Sequence, residues 1–188
     1  MIDSIIEKIY PLPQSRIELI KSIIKIEDIK KGTDFVLKGN RSGNEYFVIE
    51  GVCRSYVLNP EGQPVTISFY IDSSVISPCI IRTYQDQSQT NLQALTHAKV
   101  ARMDAAIFAQ MMVDDIEIRN FANTVLQNEL IHKVQKEIGL ASLTAKQRLI
   151  RFRQEYPLLE NLVSHADIAT YLGITTISLS RLRKELMQ

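Results

Sequence analysis

The chain has 188 residues, of which 45% are hydrophobic and 23% charged, and its formal net charge at pH 7 is only +1. This composition is typical of a soluble globular protein and excludes a disordered or generally basic chain, so any nucleic-acid surface must be a local patch. The two cysteines, Cys53 and Cys79, lie outside any CxxC motif. This pattern supports neither a disulfide framework nor a cysteine-ligated cluster, and it is typical of a reducing, cytoplasmic environment.

The N-terminal segment is predicted to form two short helices. Apolar residues recur at helical spacing from Ile2 to Ile26, and Pro11 and Pro13 interrupt the pattern. Charges lie within the apolar run and no small-residue cleavage site follows it. We therefore expect neither a signal peptide nor a membrane-spanning segment here.

A small antiparallel sheet domain is predicted from Ile29 onward. Short β-prone runs are separated by turn residues, and the alternation from Val65 to Tyr70 is typical of a strand with one buried face. The segment from Ser73 to Gln89 lacks alternation and is predicted to be a loop or short helix, and Asp104 is predicted to cap a new helix. The runs are 35–37, 46–49, 53–58, 65–70, 90–95 and 99–103.

A helix of nearly thirty residues is predicted after Val113, and it carries two neighbouring apolar seams. We interpret one seam as a contact with the chain's own sheet domain and the other as a dimer interface, although a helix buried wholly within one chain would give the same pattern. The seam assigned to the dimer interface consists of Ile118, Phe121, Val125, Asn128 and His132. The adjacent seam consists of Ala122, Leu126, Leu130, Val134 and Ile138.

The C-terminal stretch from Ser164 to Leu186 has the residue spacing of a helix-turn-helix. It follows another amphipathic helix, predicted from Ala145 to Glu155. Ser164 and Thr175 suit helix N-caps, and Gly173 suits a left-handed cap between them. The apolar residues expected on the inner faces are Ile168, Leu172, Ile174, Leu179, Leu182 and Leu186.

The exposed side chains of this motif are short, polar and cationic, and cations outnumber acidic residues beyond Ala141. They suit a helix whose N-terminal half enters a major groove while Arg183 and Lys184 reach phosphates. The alternative is structural, since any two short amphipathic helices joined by glycine share this pattern. The candidate DNA-binding residues are Ser164, His165, Thr175, Thr176, Ser178, Ser180, Arg181 and Lys184.

The order of these parts resembles the Crp/Fnr family of bacterial transcription regulators over essentially the whole chain. The residues that carry the resemblance are 44–56 (NEYFVIEGVCRSY), Glu61-Gly62 and, most specifically, 167–186 (DIATYLGITTISLSRLRKEL). The resemblance implies an α+β architecture: a small antiparallel jelly-roll sensor domain of cyclic-nucleotide-binding type at 1–112, a dimerisation helix at 113–140 and an all-α helix-turn-helix domain at 141–188. It further implies a homodimer that binds double-stranded DNA, with a small-molecule effector and RNA polymerase as further partners and no membrane association.

The sensor region departs from family members that bind cyclic AMP through a Gly-Glu pair and an Arg-Ser pair. Arg82 is the nearest cation, but it falls between the two corresponding segments. Neutral glutamine cannot replace a charge-assisted phosphate contact, so we expect no physiological cyclic-nucleotide binding. The residues of the candidate effector pocket are Ser77, Pro78, Arg82, Gln87, Ser88, Gln89 and Thr90.

Other branches of the family are also poorly matched. The iron–sulfur branch uses several cysteines, and His97 makes only a weak case for an axial haem ligand, so we expect no cofactor and no metal. Thr176 and Ile177 stand where cyclic-AMP-responsive members have an Arg-Glu pair, while Arg181 matches a retained arginine, so the target sequence should differ. The sequence ends at Gln188 without strands after the second helix, and the usual wing is therefore expected to be missing.

Two other functional classes remain as alternatives. A cupin-type enzyme needs two or three histidines and a carboxylate on the barrel, whereas this sheet domain has one histidine and the chain lacks GxSxG, phosphate-loop and HExxH motifs. We therefore expect no catalytic residues. A signalling or interaction module would bind a small ligand in the sensor domain and use its helix-turn-helix to contact protein. Salt-dependent binding to duplex DNA would distinguish that module from a DNA-binding regulator.

Overall fold

A computed structural model describes residues 1–186, whereas Met187 and Gln188 lie outside the described part. The strands are β1 (Lys25–Ile29), β2 (Asp34–Val36), β3 (Asn44–Glu50), β4 (Cys53–Leu58), β5 (Pro64–Tyr70), β6 (Ser74–Val75), β7 (Thr83–Tyr84), β8 (Gln87–Ser88), β9 (Asn91–Ala94) and β10 (Ala98–Asp104). The helices are α1 (Ile2–Ile9), α2 (Gln14–Ser22), α3 (Cys79–Arg82), α4 (Ala105–Asp114), α5 (Ile116–Ser142), α6 (Ala145–Glu155), α7 (His165–Tyr171) and α8 (Thr176–Glu185). A 3-10 turn spans Leu159–Asn161. Of the helices within 1–186, none combines the length and apolarity that crossing a bilayer requires.

Eight of the strands form two antiparallel sheets that face each other. The first sheet has the order β1-β10-β3-β6 and the second the order β2-β9-β4-β5, while β7 and β8 form a separate hairpin. Apolar side chains from both inner faces, among them Val48, Leu92 and Val100, fill the space between the sheets. This arrangement confirms the predicted α+β class with a small antiparallel double-sheet domain.

Most predicted elements are present with shifts of one or two residues. The segment 73–89, predicted to be a loop or short helix, contains α3 but also the short strands β6, β7 and β8, and β1 was missed as well. The helical pattern was extended to Ile26, whereas Lys25–Ile29 pairs with β10, opposite Arg102 to Ala98. Four of the five β1 residues are exposed, so the segment carries little alternation of its own. Its conformation is set by a pairing partner about seventy residues further along, which local periodicity cannot reveal.

A second core lies on the outer face of the first sheet. Phe47 of β3 and Met103 of β10 pack there against α1, α2, α4 and the first half of α5. Phe108 of α4 stacks edge-on against Phe121 of α5, with ring centroids 6.5 Å apart. The N-terminal half of α5 is therefore an integral part of the sheet domain.

Because the sheet domain covers the N-terminal half of α5, part of the predicted dimer seam is wrong. Ile118 and Phe121 are 0% and 1% exposed within the second core, so they have no surface left for another subunit. His132 also faces its own chain, since its Nε2 lies 2.6 Å from Oε1 of Glu155 on α6. Val125 is half-buried and Asn128 is exposed, and their role at an interface stays a prediction.

The exposed apolar surface of α5 lies instead on the adjacent seam and further along the helix. Its members are Leu130, Ile131, Val134, Ile138 and Leu140, each between 45% and 61% exposed. The sequence pattern correctly revealed two seams. It did not reveal which one the sheet domain covers.

A third core joins the C-terminal helices to the second sheet. Leu149, Phe152, Ile168 and Leu179 of α6, α7 and α8 are buried together with Phe69 of β5. The C-terminal helices are thus packed against the sheet domain of the same chain.

Candidate nucleic-acid interface

The helix-turn-helix is built by the local interactions that its sequence predicts. The Ser164 hydroxyl accepts a hydrogen bond from the Asp167 N–H at 3.1 Å, and the Thr175 hydroxyl accepts one from the Ser178 N–H at 3.1 Å. Gly173 has a φ of +65°, the left-handed conformation that favours glycine between two helices. Both caps and the turn are confirmed.

The inner faces of α7 and α8 also match the prediction. Ile168, Leu172 and Leu179 are buried, and Ala169 is buried where the two helices approach each other. The predicted positions Ile174, Leu182 and Leu186 are partly buried against the same core. Burial of this one stripe fixes which face of α8 remains outside.

The outer face of α8 presents polar and cationic side chains to solvent. Thr175, Thr176, Ser180, Arg181 and Lys184 are exposed. The structure shows no hydrogen bond or ion pair between Arg181 and any other residue within 1–186. Its guanidinium is therefore available to an external partner.

Ser178 and Ile177 complete this face. Ser178 is half-buried, and its hydroxyl lies 3.0 Å from the hydroxyl of Thr175. Ile177 is 65% exposed and was not among the predicted site residues. A large apolar side chain exposed beside Thr176 suits contact with a thymine methyl, and its position just inside the N-terminus of α8 was the signal that could have identified it.

The two cations near the end of α8 differ in their availability. Nε of Arg183 lies 3.4 Å from Oε1 of Glu160, and its Nη1 donates to Nε2 of His165. Glu160 also accepts a hydrogen bond from Nε of Arg153 at 2.6 Å. Arg183 is thus held by intramolecular partners, whereas Lys184 is exposed.

A buried ion pair ties α7 to the second sheet. Arg54 of β4 bonds to the Asp167 carboxylate, and the two side chains are 7% and 13% exposed. The guanidinium also donates to Oε1 of Gln93 at 2.7 Å and to the Thr66 hydroxyl at 3.2 Å. The Thr66 N–H in turn donates to the Thr170 hydroxyl at 3.2 Å. The helix-turn-helix is therefore held against its own sheet domain by polar as well as apolar contacts.

Lys136 of α5 joins the same contact. Its ammonium donates to the carbonyl oxygen of Ile67 and lies 3.9 Å from the centroid of the Tyr171 ring. Burial lowers the pKa of Lys136 to about 8. The long helix, the sheet and the first helix of the helix-turn-helix thus meet at one place.

The predicted effector residues are distributed over two environments. Ser77, Pro78, Arg82 and Ser88 are buried, and Thr90 is half-buried, with no partner within 1–186 for the hydroxyls of Ser77 and Thr90. Gln87 and Gln89, in contrast, are exposed at the β7–β8 hairpin.

The guanidinium of Arg82 is engaged in contacts within the protein. Its guanidinium donates to the Ser42 hydroxyl at 2.6 Å, to the Ser77 carbonyl at 3.2 Å and to the Asn44 carbonyl, and it lies over the Tyr46 ring. It therefore supports the local fold and is not aimed at a free phosphate site.

A large cavity lies elsewhere in the sheet domain. It occupies about 630 Å³ between the outer face of the first sheet, α3, α4 and the N-terminal half of α5. Of the predicted effector residues, Pro78 lines it. Sequence reasoning missed this cavity because its walls come from segments that are distant in the chain.

The described residues offer little support for a metal site or for a reactive thiol at Cys53. Across 1–186 there is no group of three or more histidine, cysteine or acidic residues placed to hold a metal ion. Burial raises the pKa of the Cys53 thiol to about 12, so this thiol stays protonated and unreactive at neutral pH.

Comparison with known proteins gives matches in structure. No protein-family model matches the chain, and no curated protein sequence matches it. FixK2 from Bradyrhizobium japonicum superimposes with a TM-score of 0.77 at 19% identity, over 88% of this chain and 85% of that one. CLP from Xanthomonas campestris, described as a c-di-GMP responsive global regulator, superimposes with a TM-score of 0.73 at 17% identity, over 93% of this chain and 92% of that one.

A protein from Eubacterium rectale, described as a transcriptional regulator of the Crp/Fnr family, gives a TM-score of 0.70 at 21% identity, over 96% of this chain and 88% of that one. Identities at this level establish the fold. From the first sheet to the helix-turn-helix, this chain has the fold of the Crp/Fnr transcription regulators.

Proposed function

We propose that this protein is a homodimeric, sequence-specific DNA-binding transcription regulator of Crp/Fnr type. The observation that carries the proposal is the outer face of α8, where Arg181 is exposed without an intramolecular partner within 1–186 and lies among exposed hydroxyls. Arginine forks onto the O6 and N7 atoms of guanine, and hydroxyls bond to base edges and phosphates. In this proposal residues 1–112 form the sensor domain, 113–140 the dimerisation helix and 141–188 the DNA-binding domain.

Each predicted DNA-binding residue, together with Ile177, has a proposed role. Arg181, Thr176 and Ser180 read base edges in the major groove, with Ile177 against a thymine methyl. Ser164 and His165 at the start of α7, Thr175 and Ser178 at the start of α8, and Lys184 contact the phosphate backbone.

The dimer is supported by the exposed apolar stripe of α5. Leu130, Val134 and Ile138 follow each other at intervals of four residues, and all three are exposed. Contiguous apolar surface of this kind favours a partner that covers it, and a second copy of the same helix is self-complementary to it. In such a dimer, two α8 helices about 34 Å apart would read half-sites in successive major grooves.

Substitution of Arg181 tests the base-reading role. The preferred duplex is first obtained by enrichment from a random pool, and binding is then measured against a panel with single base-pair changes. Arg181→Ala should cost ~1–3 kcal/mol and relax discrimination at one base pair in each half-site.

Lys184→Ala is the matched control, since a phosphate contact carries no sequence information. It should weaken binding uniformly and lower the dependence of binding on salt concentration. A uniform loss for Arg181→Ala would contradict the base-reading role. If the chain does not bind duplex DNA even at low salt, the result would instead favour the alternative function, a module whose helix-turn-helix contacts protein.

A further inference from the structure

The cavity between the first sheet and the helices α4 and α5, hereafter the α4–α5 cavity, is a site of its own. We propose that it binds a small molecule with an apolar body and a positively charged amine, whose amine contacts Glu45. At about 630 Å³ it lies within the size range of small-molecule sites in proteins, roughly 300–1,000 Å³.

The walls of the cavity are apolar. Phe47 and Met103 contribute from the sheet, Phe108 from α4, and Phe121 and Val125 from α5. Phe47, Met103, Phe108 and Phe121 are themselves buried, so their surroundings are fixed and the cavity is largely preformed. An apolar ligand body gains free energy by leaving water for such walls.

Glu45 supplies the polar contact. It lies on β3 opposite Met103 of β10, and its Oε2 accepts the N–H of Cys79 at 2.8 Å. No Lys, Arg or His nitrogen within 1–186 forms an ion pair with this carboxylate. Burial also raises the pKa of Glu45, as expected of a carboxylate without a bonded counter-ion. A ligand ammonium would supply that counter-ion and a charge-assisted hydrogen bond.

Burial raises the pKa of Glu45 and the charge of Arg82 partly opposes that rise, but Arg82 forms no ion pair with the carboxylate among residues 1–186. Its guanidinium is used by Ser42, Ser77 and Asn44. The remaining capacity of the Glu45 carboxylate is therefore open to a ligand.

The charges around the cavity favour the same ligand. Asp86 and Asp104 line it together with Glu45, against a single lining cation, Arg41. The excess of negative charge attracts cations and disfavours carboxylates and phosphates. An apolar amine matches both the walls and the charge.

The proposed dimer surface and the cavity use different residues of α5. The lining residues of α5 end at Leu126, whereas the exposed stripe begins one turn further along the helix, at Leu130. A second copy packed on the stripe therefore need not occupy the cavity.

Occupation would hold the N-terminal half of α5 against the sheet. Any effect of the amine on DNA binding rests on the proposed function, whereas binding of the amine itself does not. The proposed function and the proposed amine site can therefore fail separately.

The test uses three probes of equal chain length on the full chain: decylamine, decanol and decanoate, measured by titration calorimetry below their micelle concentrations. We expect saturable binding of one decylamine per chain, at least about tenfold tighter than decanol, with decanoate weakest. Glu45→Gln keeps an oxygen for the Cys79 N–H but removes the charge, and should reduce the advantage of decylamine over decanol to about twofold or less. Glu50→Gln, on the same strand but exposed and outside the cavity, should leave it unchanged.

A second pair of variants locates the site. Ala109 lines the cavity and is exposed, so Ala109→Phe should fill part of the space without disturbing a core and weaken all three probes at least about tenfold. The adjacent Gln110→Phe, also exposed but outside the lining, is the control.

Several results would overturn the proposal: no saturable binding of decylamine, decanoate binding as tightly as decylamine, or unaltered binding to the Ala109→Phe variant. Conversion of the Ala109→Phe variant to a different oligomeric state would also overturn it, by assigning the cavity to a second chain. If the full chain binds decylamine as expected but does not bind duplex DNA, the proposed function is contradicted while the proposed amine site is still supported.

Discussion

Asp167 has two structural roles at the start of α7. Its carboxylate accepts a hydrogen bond from the Ser164 hydroxyl at 2.7 Å, and it also pairs with Arg54 in the second sheet. The first role stabilises a helix end. The second binds the helix-turn-helix to the sheet domain through a pair that is nearly excluded from water.

Substitution of Asp167 and substitution of Ser164 should therefore lower the free energy of unfolding by different amounts. Asp167→Ala leaves the buried Arg54 without its counter-ion and should lower the free energy of unfolding by about 3 kcal/mol or more. Ser164→Ala removes only the cap and should cost about 1 kcal/mol. Urea unfolding followed by circular dichroism measures both.

Equal costs for the two variants would mean that the ion pair adds nothing beyond the cap. Of the two roles, only the helix-terminal one could be predicted from sequence, because Ser164 and Asp167 are three residues apart. Arg54 lies 113 residues earlier in the chain, and only the folded arrangement brings its guanidinium to Asp167.

At the level of the element, α5 shows what periodicity can and cannot predict. Its apolar spacing predicted a long helix with two seams, and the helix spans Ile116–Ser142. Spacing gives the relative direction of side chains but not the identity of the surface that each face meets. Ile118 and Phe121 were therefore assigned to a partner subunit, although their own sheet domain covers them.

Charged substitution on the exposed stripe should separate the two subunits of the proposed dimer. Val134 is 45% exposed, so Val134→Glu should leave the monomer fold intact while placing like charges opposite each other in a dimer. Analytical ultracentrifugation should detect monomers, with an unchanged circular dichroism spectrum.

Two further variants serve as controls for this result. Gln110→Glu changes an exposed residue of α4, outside the stripe, and should leave the dimer intact. Phe121→Glu buries a charge in the second core and should unfold the sheet domain instead of dissociating a dimer. An unchanged dimer in the Val134→Glu variant would refute the stripe as the interface.

For the whole molecule, the decisive feature is that one core is shared by the sheet domain and the helix-turn-helix. Phe69 of β5 lies 5.1 Å from the Tyr171 ring and 6.0 Å from the Phe152 ring, measured between centroids. The strand that carries Phe69 and the helices that carry its neighbours were each predicted. Their contact was not, since alternation shows that a strand face is buried without showing what buries it.

This shared core should make the chain unfold as one unit. Calorimetry of the wild type should give a single transition, because exposing either side of the contact leaves the other unburied. Phe69→Ala should cost about 3–5 kcal/mol and, by weakening the contact between the two parts, separate the transition into two.

Phe108→Ala is the matched control. It removes a buried ring of the same size from the second core, which contains no residue of α6, α7 or α8. It should therefore lower the temperature of a transition that remains single. If the wild type already shows two transitions, the aromatic contact does not couple the sheet domain to the C-terminal helices, and coupling between them would have to run through α5 and the Arg54–Asp167 pair.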